Sequence, residues 1–358
     1  MAIGLSHGGS TIYSSASPSK EVWVGTAEGV VILQRDAGKN SWRVDHRALT
    51  DRHISAIVFE PESGLIFAGV FHGSIHASPD GGRTWETRAN GLTEHNVYSL
   101  ALVPLNGRAR LYAGTEPAHL FYSDDLGFHW TELPALRLVP SVPQWSFPAP
   151  PHIGHLKHIN FDPTSPTTIY ASIEVGGLLK STDAGETWQE LDGVYEDIHR
   201  LVLHPHNPKR MYVTGGNGLY VTSDGGTTWE HWASRTAKIG GYPDMLVYHP
   251  RQPDLMLIAA AHDNPGTWRK THFAGARISR SHDGGRHWEV LRNGLTDRMQ
   301  ASIEAMCLED WGKSFSVFAG TTAGEVYCSD DGGENWSRII SGLAPISKAG
   351  HYRNLVAA

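Results

Sequence analysis

Polar side chains recur at the start of six similar apolar segments of this chain. The segments end at Pro61, Pro104, Pro163, Pro205, Pro250 and Asp310. Eight positions before these ends stand His53, Asn96, His155, Asp197, Tyr242 and Ser302, and six positions before them stand Ser55, Tyr98, Lys157, His199, Asp244 and Glu304. The residue between the two rows is apolar in every segment. If the segments are β-strands, their period of two places both polar rows on one side of each strand.

The chemistry that these rows favour is metal binding. We predict that His53, His155 and His199 are metal ligands, and that Glu304 completes the ligand set or acts as a base. Imidazole and carboxylate ligands suit Fe, Mn, Zn or Cu, so the identity of this divalent transition metal stays open. Lys157 and Arg200 would favour an anionic group on a small substrate.

A short phrase repeated along the chain indicates the elements that must position these residues. It reads SPDGGRTW at 78–85, SDDLGFHW at 123–130, STDAGETW at 181–188, TSDGGTTW at 222–229, SHDGGRHW at 281–288 and SDDGGENW at 329–336, with a degenerate copy that ends at Trp42. Asp and Ser side chains can accept backbone N–H groups in a tight turn, and Gly supplies a positive φ. Each copy therefore predicts a hairpin turn whose Asp is structural rather than catalytic.

The segments between the turns predict the fold class. Each period of about 45 residues contains four short apolar runs, as in one blade of a β-propeller. Seven Trp residues close the seven copies, so we predict a single all-β domain, residues 1–358, of seven blades with four antiparallel strands each. The Asp turns fall between the third and fourth strands. We expect no substantial helix, and a terminal segment (10–17 or 351–358) should add a strand that closes the ring.

The repeated phrase resembles that of the BNR/Asp-box repeat proteins, which include sialidases, xyloglucanases and photosystem II assembly-factor-like proteins. That resemblance implies that the first strand of each blade begins at the mouth of a central channel. It also implies that the Asp boxes lie on the opposite face. Two long insertions, residues 135–155 and 262–275, are expected on the channel-mouth face, where long loops often carry function. Trp145, Phe147 and Trp268 in these loops would cover a ligand there.

Three functions follow from these features, and an enzyme is favoured over a scaffold. The first is a metal-dependent enzyme acting at the channel mouth on a small substrate, for which Lys157 and Arg200 favour an anion. The second is a non-catalytic binding or assembly scaffold. The third is a glycoside hydrolase that uses Glu116 and Glu174 as paired carboxylates, with Trp145 and Trp268 stacked on sugar rings. The absence of an N-terminal Arg-Ile-Pro element argues against a sialidase.

The composition and the net charge limit the kinds of partner that this chain is expected to bind. A net charge of -7 without a Lys/Arg run disfavours nucleic acid as a partner. No apolar run is long enough to span a membrane, and the N-terminal sequence does not resemble a signal peptide. Cys307 and Cys328 are expected in strands two apart, beyond disulfide reach. Two unpaired thiols agree with a reducing compartment, so we expect a cytoplasmic protein. We also expect it to bind a small molecule or a sugar, and the oligomeric state stays open.

Overall fold

The computed structural model describes residues 2–36, 41–233, 238–296 and 298–347. Its strands form seven sheets in chain order, and the fold class is the predicted seven-bladed, all-β propeller. The chain divides into two compact units, which we call the terminal unit (residues 1–54 and 233–358) and the central unit (residues 55–232). The prediction of a single domain is not tested by this division and stays a prediction.

The first sheet belongs to the terminal unit and departs from the regular pattern. The N-terminal strands are β1 (Ile3–Leu5), β2 (Ile12–Ser14), β3 (Glu21–Thr26), β4 (Gly29–Arg35) and β5 (Trp42–Ala48). The sheet order is β1-β3-β4-β5, and β1 runs parallel to β3. This parallel pair is a local departure from the predicted antiparallel blades, because the first strand is supplied by the N-terminal segment.

The central unit holds the next four blades except for His53 and Ile54 of β6 and Ala233 of β21, which belong to the terminal unit, and each of these blades is a sheet of four strands in chain order. The second blade has β6 (His53–Phe59), β7 (Ile66–Phe71), β8 (Ser74–Ser78) and β9 (Glu86–Thr87). The third has β10 (Val97–Leu105), β11 (Arg108–Thr115), β12 (Leu120–Ser123) and β13 (Thr131–Glu132). The fourth has β14 (His155–Asp162), β15 (Ser165–Glu174), β16 (Gly177–Ser181) and β17 (Gln189–Leu191). The fifth has β18 (Ile198–His204), β19 (Asn207–Gly215), β20 (Gly218–Thr222) and β21 (Glu230–Ala233).

The last two blades return to the terminal unit. The sixth has β22 (Tyr242–His249), β23 (Gln252–Ala261), β24 (Arg277–Ser281) and β25 (Glu289–Val290), with the short helix α1 (Pro265–Thr271) between β23 and β24. The seventh has β26 (Ile303–Asp310), β27 (Phe315–Thr321), β28 (Val326–Ser329) and β29 (Ser337–Ile340). Strand β2 pairs in parallel with β26, so this blade has five strands. The N-terminal candidate, residues 10–17, thus adds the extra strand, and residues 351–358 lie outside the described residues.

The Asp boxes form the predicted turns between the third and fourth strands. In the fourth blade, Asp183 accepts hydrogen bonds from Ser181 Oγ (2.7 Å) and from the Thr187 N–H (2.9 Å). The indole N–H of Trp188 closes the turn on the carbonyl of Gly185 at 3.0 Å. Gly185 adopts a φ of 98°, which favours a residue without a side chain. The hydrogen bond from a backbone N–H to the Asp side chain recurs in the other five complete boxes, so these Asp residues build turns.

The two cysteines are buried free thiols in the seventh blade. Cys307 and Cys328 both align with Phe318 on the strand between them, as expected for strands two apart. Burial is the main cause that raises the pKa of both thiols. Both therefore behave as small apolar residues of the core.

Candidate functional site

A β-bulge recurs near the start of the first strand in five consecutive blades. The pairing register shifts by one residue in β10, β14, β18, β22 and β26. The extra residue is the second polar row of the sequence, namely Tyr98, Lys157, His199, Asp244 and Glu304, and each of these is buried. A bulge re-aims a side chain out of the regular alternation and is common beside functional sites. The same bulge thus turns a polar side chain out of the regular alternation of the strand in each of these five blades.

Glu174, at the end of β15, is the centre of a buried charged cluster in the central unit. His155 lies directly opposite Glu174 in the ladder, and its Nε2–H donates to Glu174 Oε2 at 2.6 Å. The ammonium of Lys157 donates to the other oxygen, Oε1, at 2.9 Å. All three residues have no solvent exposure. A buried carboxylate needs such partners, because an unpaired buried charge is strongly unfavourable.

The imidazole of His155 is enclosed on every side. Its Nδ1 faces Glu116 Oε2 at 3.4 Å, its ring stacks on Tyr98 (centroids 3.8 Å apart) and Phe147 packs against it at 5.0 Å. Burial disfavours a charged imidazole, but Glu116 and Glu174 outweigh it, and the pKa of His155 is raised above 6.5. A carboxylate thus faces each ring nitrogen, and the predicted role of His155 as a metal ligand stays a prediction.

The expected carboxylate pair of a glycosidase lies in the same cluster, and its catalytic role stays a prediction. Glu116 and Glu174 do come close to one group, but the group between them is the imidazole of His155. A glycosidase pair must instead leave room for a sugar ring between its carboxylates. In this arrangement Glu116 and Glu174 stabilise a buried histidine.

A second group of donors adjoins Glu174 from the fifth blade. His199 Nε2 lies 3.3 Å from Asp197 Oδ1 and 4.0 Å from Glu174 Oε1. Ligand atoms of Glu174, Asp197 and His199 all lie within 4.8 Å of one another. Asp197 stands in the first polar row, but our sequence reasoning gave it no role. The same was true of Tyr98, and membership of a polar row was the only signal for either residue.

Two other predicted site residues, His53 and Glu304, are linked through Ser347 in the terminal unit. His53 Nε2 donates to the carbonyl of Ser347 at 3.0 Å, and Ser347 Oγ donates to Glu304 Oε2 at 2.9 Å. His7 Nδ1 contacts the backbone carbonyl of Glu304 at 2.8 Å. Ser347 therefore joins His53 to Glu304. A common site for these residues with His155 and His199 stays a prediction.

The insertions contain the three aromatic residues that were predicted to cover a ligand. Phe147 covers His155, as described above, and Trp145 is half-buried with its indole N–H donating to Ser141 Oγ at 2.8 Å. Trp268, in α1, is buried against Tyr242 and donates to the carbonyl of Asp263 at 2.6 Å. Its ring therefore anchors its own loop and is not open to a sugar. Arg200, in β18, is also buried.

Family models match two parts of the chain. The model described as Sortilin, neurotensin receptor 3 (Sortilin-Vps10) matches residues 176–310, and the BNR/Asp-box repeat model matches residues 327–338. Vacuolar protein sorting/targeting protein 10 of Chaetomium globosum is 31% identical over 103 residues, which are 28% of this chain and 7% of that protein. The chain thus spans a small part of this relative.

A longer match covers most of the chain. The photosystem II assembly lipoprotein Ycf48 of a Synechococcus species is 21% identical over 308 residues, 84% of this chain and 79% of that protein.

Solved structures share the fold. The GH74 xyloglucanase of Xanthomonas campestris has a TM-score of 0.66 at 18% identity, over 94% of this chain and 55% of that one. YCF48 bound to a D1 peptide has a TM-score of 0.55 at 17% identity, over 92% and 88% of the two chains.

Proposed function

We propose that this chain, a BNR/Asp-box repeat β-propeller, is a non-catalytic module that binds a peptide segment of another protein. Its likeness to Ycf48 supports the proposal, because that likeness extends over most of both chains. One Ycf48 structure carries a bound peptide, and the local relative is a sorting protein. Propellers of this kind therefore recur in proteins that engage other proteins.

The observation that carries the proposal is that the side chains predicted to be catalytic or metal-binding pair with one another. Lys157 and His155 both donate to Glu174, and Glu116 faces the remaining nitrogen of His155. A general acid or base must reach the substrate proton within hydrogen-bond distance. These side chains are buried against one another instead. A metal-dependent enzyme acting on a small anion is therefore not our proposal.

The insertion of the central unit offers a surface for such a peptide. Residues 134–138 form a 3-10 helix that ends at Leu138, whose side chain is 80% exposed. The guanidinium of Arg137 beside it is held by Glu132, with Nη2 to Oε1 at 2.7 Å. An exposed apolar side chain next to an ordered ion pair can anchor a partner by losing contact with water.

Selection from a phage library of random peptides on the full chain tests this proposal. Synthetic copies of the enriched peptides should bind, and Leu138→Ser should weaken their Kd by about tenfold or more, since an anchor contributes over 1 kcal/mol. Phe128→Ser is the control, because Phe128 is also an exposed apolar side chain (55%) but lies in an Asp-box turn. Failure to enrich any peptide, or equal loss in both variants, would contradict the proposal.

A glycoside hydrolase is the second candidate, favoured by the fold likeness to the GH74 xyloglucanase. We expect no release of reducing ends from xyloglucan above the buffer rate. Xyloglucan hydrolysis by the wild-type chain that is lost in Glu116→Gln would replace the binding proposal.

Within the described residues no helix could cross a membrane. The cytoplasmic location stays a prediction.

A further inference from the structure

We propose that Glu174, Asp197 and His199 bind a divalent transition metal ion in the central unit. Three ligands at about 2.0–2.2 Å from one ion lie roughly 3.4 Å from each other in tetrahedral geometry. His199 Nε2 and Asp197 Oδ1 already have this spacing, at 3.3 Å. The 4.0 Å between His199 Nε2 and Glu174 Oε1 needs only a small side-chain adjustment.

The backbone holds these three ligands in place before any ion binds. Glu174 and Asp197 face each other in an isolated antiparallel bridge between the fourth and fifth blades. The N–H of Gly216 donates to the carbonyl of Asp197 at 3.0 Å. The bulge at His199 then turns its imidazole out of the ladder register. A ligand set on rigid strands loses little conformational entropy when it binds an ion.

The carboxylate of Asp197 is the feature that points to an ion. Its Oδ1 is buried and makes no well-formed hydrogen bond within the described part of the chain, and the imidazole Nε2 of His199 faces it at 3.3 Å. A buried carboxylate oxygen without a well-formed hydrogen bond is costly, and a cation held between this oxygen and the imidazole would offset that cost. Gly216 provides the space, because a Cβ at this position would lie 2.2 Å from Asp197 Oδ2.

The charges of the cluster also favour a cation. Glu116, Glu174 and Asp197 contribute three carboxylates, against the ammonium of Lys157 and the imidazole of His155, whose pKa is raised by Glu116 and Glu174. A carboxylate oxygen has two acceptor sites, so Glu174 Oε1 can hold both the ammonium and an ion. Imidazole with two carboxylates is a nitrogen and oxygen donor set suited to Zn²⁺, Mn²⁺ or Fe²⁺. This set replaces the predicted ligands His53 and His155 and keeps His199.

Zinc titration of the untagged, chelator-stripped full chain tests the site. Isothermal titration calorimetry should show one Zn²⁺ per chain, and Zn²⁺ should raise Tm because an ion that binds the folded state stabilises it. Asp197→Asn and His199→Gln should each weaken Zn²⁺ binding by about tenfold or more. The control is His129→Gln, which breaks an exposed His–Asp contact of 2.6 Å in an Asp box.

Gly216→Ala provides a test that keeps every ligand. The added methyl group must displace the Asp197 carboxylate, so a folded Gly216→Ala chain should also lose affinity for Zn²⁺. Circular dichroism of each variant separates loss of the ion from loss of the fold. The proposal is overturned if the wild-type chain binds no stoichiometric Zn²⁺. It is also overturned if folded Asp197→Asn and Gly216→Ala bind Zn²⁺ as tightly as His129→Gln does.

Discussion

Lys157→Met should destabilise the central unit by about 3 kcal/mol. Lys157 and Glu174 are fully buried, and the ammonium lies 2.9 Å from the carboxylate. Methionine keeps an unbranched apolar side chain but removes the charge. Breaking a buried ion pair by removing one partner costs about 3–5 kcal/mol. We take the lower end of that range because Glu174 keeps the hydrogen bond from His155 at 2.6 Å.

Urea unfolding followed by tryptophan fluorescence, in the presence of a chelator, measures this change. The matched control is Lys180→Met, on β16 of the same blade. Lys180 is half-buried, and its ammonium lies 5.5 Å from the ring centroid of Tyr170. Losing that contact should cost about 1 kcal/mol or less. The double variant Lys157→Met/Glu174→Gln should be less destabilised than the sum of its single variants, since neither charge is left alone.

Equal free energies of unfolding for Lys157→Met and Lys180→Met would refute this reasoning. The m-value must stay unchanged, because a changed slope would mean that the surface exposed on unfolding had changed as well. Strict additivity in the double variant would show that Lys157 and Glu174 do not stabilise each other. Either result would remove the buried pair as a stabilising element of the fourth blade.

Three further predictions concern the repeat and the N-terminal strands. In urea unfolding, Asp183→Ala should lower the free energy of unfolding by about 0.5–2 kcal/mol, as the loss of a helix cap does. The control is Asp192→Ala, at an exposed loop residue, which should change this free energy little. Hydrogen bonds in the turn lower the pKa of six carboxyls below 3.8, so their contribution to stability is complete well above that pH and is lost as pH falls below it; these are Asp80, Asp125, Asp183, Asp224, Asp283 and Asp331. Unfolding free energies that stay constant between about pH 5 and pH 2 would contradict this assignment. Deletion of residues 2–19 removes β1 and β2 and exposes the edges of β3 and β26. A thermal scan of this variant should therefore show a lower Tm. An unchanged Tm would exclude a stabilising role for both strands.

The blades could be predicted from the sequence because their determinants are local. Each Asp box needs only a Ser or Thr, an Asp, a Gly and a Trp within eight residues to form its turn, and the strands on either side follow from short apolar runs. The polar rows also followed from period-two alternation. They correctly placed His155, Lys157 and His199 at the start of their strands.

Only the tertiary structure decided which of these groups meet. Glu174 and His155 are 19 residues apart in sequence and are brought together by the register of β14 and β15. The bulges that re-aim Lys157 and His199 depend on pairing with the next strand, which no local pattern specifies. Strand β1 was likewise not predicted, and although residues 10–17 were predicted as a strand, the parallel pairing of β2 with β26 was not. Pairing between distant segments determines the charges around each side chain, and those charges decide whether a polar residue stabilises the fold or holds a ligand.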